Sequence, residues 1–240
     1  MSWRIRRVFS SAMACIVVAV LLSACASAPR SFDSDKGVKK VAIVSMLEEN
    51  APVVHIGFTV FNNDRAVVNQ QGELNRTAIS VVEQQLHSAR PDWTLVPVPA
   101  DQALAKKNNS SISWTAFTGN VKEDLQRIAR DTGADLVFAV VDTTRENSNG
   151  RGVGIWIRAL SKESLGNALV HAHVLLVLVD KNGTEITVRS GSDGNVPVSE
   201  LGLNYDISNF KDPQVQERVS AAMRKQLGIA LSEAAARMGY

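Results

Sequence analysis

Four histidines, two cysteines and scattered carboxylates are the side chains of this 240-residue chain best suited to chemistry. Nucleophilic catalysis needs a serine or thiol beside a base that an acid orients. The histidines are His55, His87, His171 and His173, and no Gly-x-Ser-x-Gly elbow accompanies them. The stretch Ser190–Gly194 carries serine where the first glycine of that elbow belongs, so it reads as a turn. On a strand, His171 and His173 would present both rings on one face, where they could share a metal. Leu175 and Val177 continue that face, no third ligand is adjacent, and zinc takes about three or four ligands, so no metal site is expected. Gly150–Gly154, Gly-Arg-Gly-Val-Gly, lacks the spacing of a dinucleotide fingerprint and the lysine of a phosphate loop, and reads as a flexible loop. The adjacent acids Glu48 and Glu49, like Asp33 and Asp35, read as solvated surface or tether. The expectation is a binding protein with no catalytic residue and no cofactor, not an enzyme.

The thiols make a different case. Arg4, Arg6 and Arg7 precede a small and apolar run from Val8 to Leu22, which is the order of an export signal. A spanning helix needs about 20 apolar residues, and this run stops short before the polar stretch that begins at Ser27. Leu22, Ser23, Ala24 and Cys25 directly after it resemble the lipobox of bacterial lipoproteins. That resemblance implies cleavage before Cys25 and a diacylglyceryl group on its sulfur. Ala26 in the following position, instead of the aspartate that the family associates with inner-membrane retention, implies the outer membrane. An ordinary signal cut at Ala24-Cys25-Ala26 is the alternative. Acyl chains contribute about 0.8 kcal/mol per buried CH₂, so several of them anchor a protein durably. Cys15 then leaves with the signal and Cys25 is consumed, which leaves no thiol for a disulfide or a metal. The leader also removes three of the 26 basic residues and none of the 24 acidic ones, leaving 23 against 24. A near-neutral chain without a dense basic stripe argues against nucleic-acid binding.

Residues 1–24 are therefore expected to be a signal, 25–37 a lipidated cysteine and tether, and 38–240 one periplasmic domain. The 12 tether residues, small, polar and proline-bearing, reach roughly 40 Å when fully extended. Within the domain, residues 38–46 form a β-branched run, and residues 73–89 place Leu74, Ala78, Val81, Val82 and Leu86 at helical spacing. Residues 93–98 read as a second strand. Asn120 with Glu123 suggests a capping box, Leu125, Ile128 and Ala129 an apolar stripe, and Gly133 a helix end. Residues 134–142 read as a strand buried on both faces. This β-α-β-α-β order predicts a parallel half-sheet. Three further strands, at 152–160, 169–180 and 184–191, follow without an intervening helix and should be antiparallel, with Asn182 and Gly183 at a hairpin apex. Residues 55–69 suggest another hairpin around Asn62 and Asn63. Asp212 and Pro213 open a closing amphipathic helix with Val215, Val219, Met223, Leu227, Leu231, Ala234 and Met238 on one face. The fold class is α/β, a mixed sheet with a parallel half and antiparallel hairpin strands, packed with helices.

Residues 128–142, the hairpin at 173–186 and the terminal amphipathic helix together resemble a fold shared by several envelope proteins. These are the curli-secretion channel lipoprotein, lipoprotein activators of penicillin-binding proteins, and the amino-terminal domain of the Tol translocation protein. The resemblance implies envelope assembly through protein contacts, with the membrane engaged through lipid on Cys25. Trp114 and Phe117, large aromatics in a polar stretch, either fold back onto the core or serve as partner contacts. The rival reading is a subunit of a curli-type oligomeric channel, in which hairpins near residues 54–69 and 153–179 insert as barrel strands with Val153, Ile155, Ile157 and Ala159 facing lipid. An envelope enzyme with an unrecognised site is the third.

Overall fold

The computed structural model describes residues 37–57, 63–109, 119–143, 151–158, 167–190, 194–203 and 207–240. Cys25 with Leu22, Ser23 and Ala24, the pair Asp33 and Asp35, and the aromatics Trp114 and Phe117 lie outside the described residues. The strands are β1 (Lys40–Met46), β2 (Asn50–Ile56), β3 (Asp64–Asn69), β4 (Thr94–Pro97), β5 (Leu136–Asp142), β6 (Gly152–Arg158), β7 (Asn167–Asp180), β8 (Glu185–Ser190) and β9 (Gly194–Pro197). The helices are α1 (Glu73–Ala89), α2 (Gln102–Asn109), α3 (Lys122–Thr132), α4 (Val198–Leu201) and α5 (Pro213–Met238).

The expected parallel half-sheet is present, with β1 between β4 and β5 and parallel to both. The later strands are antiparallel to β7, as their turns predict. The less expected feature is how the strands continue. Asp142 of β5 sits opposite Val174 and Gly152 of β6 opposite His173, so β5 and β6 lie end to end along one edge of β7. Along its other edge, β8 pairs with residues 175–179 and β9 with residues 167–170. Since β1 runs parallel to β5 and β2 parallel to β6, β2 carries on the direction of β1 past a break at Leu47–Glu49. The sheet thus has two halves, β4-β1-β5-β7-β8 and β3-β2-β6-β7-β9, and β7 is the one strand that serves both.

Helices bury the two halves unequally. In the first half, Val41, Ile43, Phe138, Leu176 and Leu178 face α1 and α5, while Ala42, Val44, Val137, Val177 and Val179 face α2 and α3. Every residue of β5 is accordingly buried, the physical reason for its unbroken apolar run. α1 buries Leu74, Ala78, Val82 and Leu86, and α5 buries all seven residues of the expected stripe. In the second half, Ala51, Val53, Val153, Ile155, Ile157, Ala168 and Val170 join the α1 and α5 cluster on one face. Among the described residues no helix covers the other face, because the cluster beneath α2 and α3 ends at Met46, Val141 and Leu175.

Local signals hold with one exception. Asp212 accepts the Gln214 N–H at 2.8 Å with Pro213 in the first turn, and Gly133 ends α3 in a left-handed conformation. Gly183 has φ 72° in the β7–β8 hairpin, where a side chain would be strained. Asn120, however, is not the cap of α3. It lies in a 3-10 turn, Gly119–Val121, and its Nδ2 donates to the Lys107 carbonyl at 3.3 Å, so its amide ties α3 to the end of α2.

Candidate functional site

Two features of the second half-sheet stand out among the described residues on the face away from α1 and α5: a polar seam where the strands break, and an edge at β3. Strand alternation puts Pro52, Val54, Arg65, Val67, Gly152, Gly154, Trp156, Leu169, His171 and His173 on this face.

The seam runs from the β1–β2 break to the β5–β6 break. Asp142, the last residue of β5, is 5% exposed, and its Oδ2 accepts the Glu48 N–H at 2.7 Å. Arg151 Nη2 donates to the Asp142 carbonyl at 3.4 Å. Main-chain bonds from Thr143 N–H to the His173 carbonyl at 2.8 Å, and from Gly152 N–H to the Thr143 carbonyl at 3.1 Å, join β5, β6 and β7 at one point. A cavity of about 240 Å³ opens beside it, lined by Glu48, Pro52, Val54, Arg65, Asp142 and Arg151 among others.

His171 and His173 do share one face, as their spacing predicts, and both are buried. Their rings stack with centroids 4.6 Å apart and planes 25° from parallel. His171 Nδ1 lies 3.1 Å from the Gly152 carbonyl, and Trp156 meets the same ring edge-on at 6.4 Å. The glycines make this possible: a Cβ on Gly154 would stand 2.6 Å from His171 Nε2 and 2.8 Å from the Pro52 carbonyl. Gly152 and Gly154 are buried strand residues, Gly154 leaving room for the His171 ring and Gly152 for the Asp142 carboxylate, which corrects the expectation of a flexible loop for the described part, 151–154. Among the described residues, no group of three or more histidine, cysteine, aspartate or glutamate side chains could hold a metal ion.

The acid pair at 48–49 is corrected too. Glu48 is exposed, but Glu49 is 6% exposed and closes the start of α1. Its carboxylate accepts the N–H groups of Leu74 at 3.3 Å and Asn75 at 3.0 Å, together with Asn75 Nδ2. No side chain near residue 72 caps that helix, so an acid 24 residues upstream of Glu73 does so across space. Sequence spacing carries no signal for such a long-range cap.

No protein-family model matches the chain, and no curated protein matches it. The solved structures to which the chain is similar include two. One is the crystal structure of lipoprotein GNA1162 from Neisseria meningitidis, at 14% identity over 79% of this chain and 97% of that chain, with a TM-score of 0.30. The other is the LpoB C-terminal domain from Salmonella enterica, at 15% identity over 69% of this chain and 98% of that chain, with a TM-score of 0.24.

The remaining histidine with a named partner is on the helix-facing side. His55 is 1% exposed and its Nδ1 lies 3.7 Å from Asp64, directly across the β2–β3 pair. Among the described residues no helix is long and apolar enough to cross a membrane. Val153 is 4% exposed and Ile155 and Ile157 are fully buried in the α1 and α5 cluster, while Ala159 lies outside the described residues.

Proposed function

We propose that this chain is a lipid-anchored envelope protein that works by protein contact and carries out no reaction of its own. The observation that carries the proposal is the order of its first 25 residues, an arginine-bearing start, an apolar run and then Leu22-Ser23-Ala24-Cys25. The geometry supports it at the residues whose types suit chemistry. Glu49 caps a helix, Asp142 fastens a strand break, and His171 and His173 stack on each other with Gly154 against the His171 ring. Such groups are committed to the fold. The channel reading asks more of the molecule, since inserting β6 into lipid would strip Val153, Ile155 and Ile157 from the core that α5 covers.

The test is the mature amino terminus. Mass spectrometry should find cleavage before Cys25 and a diacylglyceryl group on its sulfur, and Cys25→Ala should move the protein from the membrane fraction to the soluble one. An unmodified cysteine, or a cut elsewhere, sinks the proposal.

A further inference from the structure

Sheets with open edges are prone to pair with other chains, and proteins guard them with short strands, proline, bulges or charge. The edges of this sheet differ in that respect. β4 and β9 are four residues long and end in Pro97 and Pro197. The β7–β8 pairing shifts register between Leu178 and Val179. β3 carries charge at Asp64 and Arg65 but none of the other devices: it is six residues long, contains no proline, and keeps an unbroken register with β2 from Asp64 to Asn69. Among the described residues β2 is the only strand it pairs with.

Its side chains are as distinctive. Val67, 61% exposed, is the more exposed of two large apolar side chains at the surface among the described residues, the other being Ile229 at 42%. Of the two charges, Asp64 lies against His55 on the helix-facing side. Arg65 is exposed, lies with Val67 on the face away from α1 and α5, and forms no ion pair among the described residues. Resting on the protein-contact reading above, we propose that β3 is a docking edge for an extended segment of a partner protein. That segment sets a carboxylate opposite Arg65 and, two positions away, an apolar side chain against Val67. Main-chain bonds supply the attraction in such strand addition and alternate side chains the selectivity. A second copy fits less well, because antiparallel pairing of β3 with itself about Val67 brings Arg65 opposite Asn69 and gives the guanidinium no anion.

Fluorescence anisotropy on the full chain in detergent tests this with two capped octapeptides of alternating valine and threonine. One carries an aspartate two positions from a central valine and the other a lysine in that place. The aspartate peptide should bind about 1.5- to 5-fold tighter, the range expected of one exposed charge pair. Arg65→Glu should reverse the preference, Val67→Lys should weaken both peptides, and binding should protect the amides of residues 64–69 from exchange. Equal affinities, no binding, or protection confined to other strands overturns the proposal, as does self-association that Val67→Lys abolishes. A benzophenone side chain placed at position 67 or at Ile229, the other exposed apolar residue, separates the two levels of the claim in cells. Adducts at 229 with none at 67 sink the edge and leave the contact role standing; adducts at neither sink both.

Discussion

Glu48 and Glu49 are neighbours of the same type with opposite roles. Glu49→Ala deprives two α1 amides and the Asn75 amide of their acceptor, and should cost about 2 kcal/mol, read as a lower urea midpoint. Glu48→Ala, which removes an exposed carboxylate but leaves the main-chain N–H on Asp142, should cost less, about 1 kcal/mol or below. Asp135 provides a pH-dependent counterpart. It accepts the N–H groups of Lys39 at 3.0 Å and Lys40 at 3.1 Å, and these bonds hold its carboxyl below the usual carboxylate range. A lowered folded-state value stabilises the protein above the unfolded value of about 4, and that contribution disappears as pH falls through the lowered one. Asp135→Asn should therefore be less stable than the parent at neutral pH, and denaturation curves should show the gap closing on acidification.

At the scale of elements, the close approach of His171 to β6 is the feature most sensitive to one methyl group. Gly154→Ala should destabilise by about 1–3 kcal/mol, since one of the clashing atoms is the Pro52 carbonyl and cannot swing away. Combining it with His171→Ala removes the ring clash, so the double variant should lose less than the sum of the singles in a double-mutant cycle. The elements that could be read from sequence are those whose burial pattern is simple. β5 and the second half of β7 are apolar on both faces because helices lie on both, and α1 and α5 each bury one continuous stripe. α2 was not legible: Gln102–Asn109 buries Leu104 and Ala105 as its apolar contribution, too little for a stripe. Nor was the role of Asn120, whose partner belongs to that missing helix. The break between β1 and β2 was hidden for a related reason, since Leu47–Glu49 looks like an ordinary loop until Asn75 and Asp142 are seen to hold it. Of the candidate site, the shared face of His171 and His173 follows from strand alternation, whereas the approach of Gly154 to the His171 ring depends on a cross-strand register that one strand cannot reveal.

For the whole molecule, the two half-sheets invite comparison with two separately stable units, yet β7 runs unbroken for 14 residues through both. Its centre exchanges partners between Val174, opposite Asp142, and His173, opposite Gly152, with no gap in the backbone. Thermal unfolding followed by far- and near-ultraviolet circular dichroism should give coincident single transitions, and the amides around residues 171–176 should be among the last to exchange. Two separated transitions would contradict this. The consequence reaches to how such a protein can be taken apart: a beam common to two floors leaves no joint at which to divide the building, and fragments cut between β5 and β6 would each depend on timber that only one of them owns.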